Sequence, residues 1–194
     1  MTKYHGSNKL KTAVFISGNG SNFKNLFKFS LSKSAPILIN LVISNNPKAK
    51  GLVFAKQKKI KYKVYKLKNK TKDENKILLE LKKEKIELIC LAGYMKILSK
   101  SFIMKFKGKI LNIHPSLLPK YKGLNIHKRV IENHEKFSGC TVHFVNSKLD
   151  AGKIILQKKV RIHLNDTKET LAKKVLKQEH LLYPKAIKKV AFNL

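Results

Sequence analysis

Apolar positions along this chain follow two periods, and their alternation predicts an α/β fold. The run Ala13-Val14-Phe15-Ile16 reads as a buried strand, and Phe23, Leu26, Phe27 and Leu31 then recur at helical spacing. Ile37 to Ile43 is a second strand, followed by a Ser44-Asn45-Asn46-Pro47 loop and a basic helix through Ala55. Tyr62 to Leu67 reads as a short strand. Thr71-Lys72-Asp73-Glu74 has the form of a capping box opening a helix whose core face includes Ile77, Leu78 and Leu81. Ile86 to Leu91 returns to strand, a short helix spans about Ser99 to Phe106, and Lys109 to Ile113 is a further strand. Beyond the Pro115 to Gly123 loop come a helix from about Asn125, strands at Cys140–Val145 and Ile154–Ile162, and a last helix opened by Asp166 and Glu169. The expected architecture is a doubly wound, mostly parallel sheet flanked by helices, with an antiparallel contribution near the C-terminal half.

Composition narrows the setting. With 194 residues and 43% hydrophobic content, the chain suits one domain over residues 11–194, preceded by a basic extension over 1–10 expected to be flexible. No apolar run is long enough for a membrane span, and Met1 to Thr12 is polar, so a cytoplasmic location is expected. Cys90 and Cys140 are isolated in apolar segments and read as small core side chains; no metal site is expected. The formal net charge is +32, which attracts nucleic acids and anionic surfaces in general. Its texture argues against a specific nucleic-acid partner: every cation except Arg129 and Arg161 is lysine, spread over helix faces rather than clustered with aromatics. A positive field would also steer small anionic substrates inward.

The chemistry concentrates near Leu111-Asn112-Ile113-His114-Pro115. On extended chain the Asn112 and His114 side chains point to the same side, so an amide donor and a titratable imidazole can converge on one carbonyl oxygen. Pro115 favours the extended geometry of His114. Such a pair suits acyl or formyl transfer. Acids are scarce, 11 against 43 basic residues, and Asp150 sits before a Gly-containing turn. It is either a turn aspartate bonding its own backbone or a carboxylate brought beside His114, where it would favour the charged imidazole.

Three further segments stand out. Gly18-Asn19-Gly20-Ser21-Asn22, between the first strand and helix, is either a capped turn or a phosphate cradle; it matches neither a dinucleotide fingerprint nor a Walker loop. Glu179 is flanked by Val175, Leu176, Leu182 and Tyr183 on one helix face, so it needs a partner, either a lysine or a ligand. Ala92 to Leu98 follows a strand and reads as a loop anchoring Met95, Ile97 and Leu98 in the core.

Together, Met95-Lys96-Ile97-Leu98, Asn112 to Tyr121, the Leu149-Asp150-Ala151-Gly152 turn and Gln178-Glu179-His180 resemble the phosphoribosylglycinamide formyltransferases, over almost the whole chain from Lys11. The resemblance implies formyl transfer from 10-formyltetrahydrofolate to glycinamide ribonucleotide in purine synthesis, without metal or ATP. It implies Asn112, His114 and Asp150 as catalytic, and Gly20, Ser21, Asn22 and Glu179 as ribonucleotide-binding. Met95, Lys96, Ile97, Leu98 and Asn112 would line the folate site, with Lys72 where the family often has Arg. Three alternatives use overlapping features. A methionyl-tRNA formyltransferase would need a further tRNA-binding domain, a formyltetrahydrofolate hydrolase would not need a phosphate loop, and a nucleic-acid module would leave Asn112, His114 and Asp150 without a role.

Overall fold

A seven-stranded sheet in the order β3-β2-β1-β4-β5-β6-β7 organises the computed structural model, which describes residues 9–192. Most of the proposed 1–10 extension therefore lies outside the described residues, and the first strand already begins at Leu10. In chain order the first elements are β1 (Leu10–Ile16), α1 (Ser21–Ser30), β2 (Ile37–Ser44), α2 (Lys50–Gln57), β3 (Lys61–Val64) and α3 (Lys70–Lys83). They are followed by β4 (Leu88–Leu91), α4 (Lys100–Lys105), β5 (Lys109–His114), α5 (Ile126–Glu132), β6 (Phe137–Phe144), β7 (Ile154–Arg161) and α6 (Lys168–Ala191). The pairings from β3 through β5 are parallel, and those joining β5, β6 and β7 are antiparallel.

The central strands are continuous apolar runs because both faces of the sheet are covered. Along β1, Val14 and Ile16 face one core with Phe23 and Leu26 of α1 and Val175 and Tyr183 of α6, whereas Ala13 and Phe15 face a second core with Ile77 and Leu81 of α3 and Phe102 of α4. Cys90 and Cys140 are free and buried, and burial pushes both thiols up to about 12. None of the described helices is long and apolar enough to cross a membrane.

Several local expectations are corrected. Thr71 and Glu74 do not form a capping box: Asn69 is the N-cap of α3, its side chain accepting from the Lys72 N–H. Glu74 is instead buried and accepts from the backbone N–H and hydroxyl of Ser99, tying α3 to the start of α4. The last helix is capped by Thr167 with a reciprocal bond from Thr170, while Asp166 accepts from the His163 N–H just outside it. Leu31 is 68% exposed at the end of α1 and is no part of the core face. The short strand after α2 ends at Val64, before Leu67, and β4 starts at Leu88 rather than Ile86.

The strand order has a consequence for ligands. From β1 the chain winds outward through β2 to β3, then returns to the other side of β1 to add β4 and β5. The loops after β1 and β4 consequently leave the sheet in opposite directions, opening the crevice where α/β sheets bind ligands.

Candidate functional site

Asn112 and His114 occupy alternate positions at the end of β5, so both side chains emerge on one side of the strand. Antiparallel pairing sets His143 of β6 directly opposite Asn112, with Asn112 Nδ2 3.3 Å from His143 Nε2. The other ring nitrogen, Nδ1, lies 2.8 Å from the Phe144 carbonyl and must donate to it, leaving Nε2 as acceptor for the Asn112 amide. Burial holds the His143 imidazole below its ordinary value, against the opposing pull of the Phe144 carbonyl and Asp150. A neutral His143 is the form this arrangement requires.

Asp150 lies in the β6–β7 connection with a left-handed backbone, φ 46°. Its carboxylate does not bond its own turn. Oδ2 accepts from the Gly123 N–H at 3.0 Å and lies 3.5 Å from His114 Nδ1, while Oδ1 is 3.7 Å from His143 Nε2. The Nε2 of His114 is 2.9 Å from the Tyr121 carbonyl. Both ring nitrogens of His114 thus face acceptors, an arrangement that imidazolium satisfies in full and a neutral ring only in part. The structure brings Asn112, His114 and Asp150 together and adds His143. That residue is missed by sequence reasoning because its only signal is a polar position within an apolar strand, and its register against Asn112 depends on which strands pair. His127, on α5, has its Nδ1 buried without a partner among the described residues; burial and then nearby His114 lower its proton affinity.

A second cluster joins α1 to α6. Gly20 is the N-cap of α1 with φ 69°, and among the described residues no side chain caps the helix or accepts from its first-turn N–H groups. The capped-turn alternative for this loop is therefore not what forms. A Cβ on Gly20 would lie 2.9 Å from the Gly51 Cα, which places glycine there for close approach to α2, whereas one on Gly18 would meet nothing within 4 Å. Ser21 and Asn22 begin the helix, and the buried Asn22 donates its amide to Glu179 Oε2 at 2.6 Å. Burial pushes the Glu179 carboxyl up, with the Asn22 bond opposing. Among the described residues no lysine forms an ion pair with Glu179, which removes the core-edge ion pair as its explanation. Asn22 Oδ1, within this pair, and Nε2 of His180, next to Glu179 in sequence, are buried with no hydrogen-bond partner among the described residues.

The loop after β4 is held from two sides. Met95 N–H donates to Ser17 Oγ at 2.7 Å, and Ser99 is held by Glu74. Only Leu98 of the apolar trio is buried; Met95 and Ile97 are 65% and 61% exposed, so they do not anchor the loop as the sequence suggests. Lys96 is exposed between them, and Lys72 is exposed in the first turn of α3 with no ion pair among the described residues.

A doubly wound sheet with an amide, two imidazoles and a carboxylate at its strand ends, and an uncapped helix N-terminus at its crevice, defines an enzyme of group transfer. The chain belongs to the formyl transferase family, whose pattern matches residues 10–187. It is 46% identical over 181 residues to the phosphoribosylglycinamide formyltransferase of Haemophilus influenzae, covering 92% of this chain and 85% of that one. It is 44% identical over 188 residues to the trifunctional purine biosynthetic protein adenosine-3 of Gallus gallus, covering 95% of this chain but only 19% of that protein's length. The crystal structure of phosphoribosylglycinamide formyltransferase from Anaplasma phagocytophilum superposes with a TM-score of 0.90 at 41% identity, covering 96% of this chain and 88% of that one.

Proposed function

We propose that this chain transfers the formyl group of 10-formyltetrahydrofolate to the amine of glycinamide ribonucleotide, a step of purine synthesis. The observation that carries the reading is the convergence of Asn112, His114 and Asp150, linked through His143 at the end of β5. The unpartnered Asn22 Oδ1 and the first-turn N–H groups of α1 supply donors and acceptors suited to a phosphorylated ribose. Gly20, Ser21, Asn22 and Glu179 hold this substrate, Glu179 through ribose hydroxyls. The exposed Met95 and Ile97, with Lys96, Leu98 and the Asn112 side chain, line the folate site, and Lys72 faces the acidic tail of the folate as a point charge rather than a bidentate fork.

Each side chain then has a task. Asn112, oriented by neutral His143, directs its remaining amide hydrogen at the formyl oxygen, where negative charge develops as the amine adds to the formyl carbon. His114 as imidazolium adds positive charge there and passes a proton toward the departing folate nitrogen; its Nε2 must give up the Tyr121 carbonyl to do so. Asp150 orients His114 and stabilises its charge, and it positions water for proton transfer. No step draws on nucleic acid, and the lysine-rich surface serves to attract anionic substrates. Mixing the protein with glycinamide ribonucleotide and 10-formyltetrahydrofolate and analysing the mixture by mass spectrometry tests the reading: formylated ribonucleotide is expected, and its absence overturns it.

A further inference from the structure

The buried Ser17, in the β1–α1 loop, bonds two further loops at the point where the strand order reverses. It follows β1 directly, and its hydroxyl donates to Asn45 Oδ1 at 2.5 Å while accepting the Met95 N–H at 2.7 Å. Its own carbonyl accepts from Asn46 Nδ2 at 3.0 Å. Asn45 and Asn46 belong to the loop between β2 and α2, and in the first turn of α2 the Gly51 N–H donates to the Gly18 carbonyl at 3.1 Å. The Cβ-free contact of Gly20 with Gly51 adds a third point of attachment. One hydroxyl therefore links the segment that begins at Gly18 to the loop carrying Met95.

The chemistry of that link is directional. A serine hydroxyl has one hydrogen, so committing it to Asn45 leaves the lone pairs for Met95, and the position of Asn45 fixes the direction from which the Met95 N–H is received. Any displacement of the β1–α1 loop would be passed by Ser17 to the backbone at Met95, because the two share one hydroxyl oxygen. Met95 and Ile97 are exposed, so few packing contacts resist that shift. Two loops with a shared, fully committed hydrogen bond have the connection that energetic coupling needs.

We propose that Ser17 is a positioning residue coupling the two substrate sites, so that glycinamide ribonucleotide on the β1–α1 loop changes the affinity of the β4–α4 loop for the folate. The inference rests on the functional reading above. Its readout is the ratio of tetrahydrofolate dissociation constants without and with saturating glycinamide ribonucleotide, measured by titration calorimetry. Neither ligand carries a formyl group, so the ternary complex is inert. The wild-type ratio should differ from one by about fivefold or more, the lower end of ordinary coupling. Ser17→Ala should bring it close to one, while a purely structural serine would lower both affinities and leave their ratio intact. Asn45→Ala, which removes only the acceptor that orients the hydroxyl, should reduce the ratio as well and serves alone if Ser17→Ala does not fold. A wild-type ratio of one, or an unchanged ratio in either folded variant, overturns the coupling. If the wild type formylates the ribonucleotide and shows no coupling, only this inference fails; if it makes no formylated ribonucleotide, the functional reading fails and takes the coupling with it.

Discussion

Asn112 and His143 face each other across β5 and β6, the amide nitrogen of one 3.3 Å from Nε2 of the other. Because His143 Nδ1 is committed to the Phe144 carbonyl, the imidazole can only accept from Asn112, and this fixes which end of the amide points onward. Replacing His143 with Phe keeps an aromatic ring but removes the acceptor. Turnover should fall about tenfold or more, with smaller changes in either KM, since an oxyanion donor left to rotate loses part of a contribution that is itself about a hundredfold. Steady-state kinetics check this, and unchanged kcat in His143→Phe would show that Asn112 needs no orienting partner.

His114→Ala and Asp150→Asn should each lose about a hundredfold or more in turnover while circular dichroism stays that of the wild type. Asp150 reaches His114 from a connection 36 positions further along the chain, and its other contacts are the Gly123 N–H and His143 Nε2. An asparagine retains an acceptor for Gly123 but carries no charge to set against the imidazolium. Near-normal turnover in folded His114→Ala removes the assignment of that residue to catalysis.

The parts legible in the sequence are those with short-range causes. The strands of the parallel half announce themselves as apolar runs because both faces are buried, and Asn112 and His114 can be placed on one side of β5 from their spacing alone. Asp150 is marked by the scarcity of acids, but its residue pattern alone leaves open whether it bonds its own turn or reaches His114. What stays hidden depends on tertiary neighbours: His143 acquires a role only once β6 pairs antiparallel with β5, and Ser17 only when the β2 and β4 loops converge on it. The Thr71 to Glu74 pattern misleads for the same reason. Asn69 caps the helix locally, and Glu74 is claimed by Ser99 from a different element.

Gly18 and Gly20 should behave differently although both lie in the proposed phosphate loop. A side chain on Gly20 meets the Gly51 backbone and must adopt φ 69°, so Gly20→Ala should lower the melting temperature, the left-handed backbone alone costing about 1–2 kcal/mol. Gly18→Ala adds a methyl group into open space and should leave the melting temperature near wild type. If a phosphate lies against this backbone, Gly18→Ala should still raise the ribonucleotide KM several-fold with little effect on the folate KM. Thermal melts and kinetics on the pair decide the matter; an unaltered ribonucleotide KM in Gly18→Ala would place the phosphate elsewhere.

With a formal charge of +32, the protein should bind RNA and DNA weakly in sequence terms and lose that binding steeply as salt rises. Formylation should be indifferent to nuclease treatment. Tight binding of one defined RNA at high salt, or loss of activity after nuclease, would assign the charge a specific partner.

The pH dependence of stability should carry the mark of Glu179. Burial raises its carboxyl above the ordinary 4.5, while the Asn22 amide opposes that rise. The folded state therefore holds this proton at pH values where the unfolded chain has released it, and the extra proton is a stabilising one. Its contribution is fully present below the ordinary value and is lost as pH climbs through the raised one, so this residue makes stability fall with increasing pH across that window. Glu179→Gln cannot release a proton and keeps an amide oxygen to accept from Asn22. The difference in melting temperature, variant minus wild type, should consequently grow as pH rises through the window and level off above it, with the variant the more stable at neutral pH. Subtracting the two curves removes the other titrating groups, which are common to both proteins. The same variant should bind glycinamide ribonucleotide less tightly, because an amide accepts the hydrogen of a ribose hydroxyl more weakly than a carboxylate does. A difference curve that is flat from pH 4 to 8 would mean that Glu179 titrates in the folded protein as it does in the unfolded chain, and that its burial costs nothing.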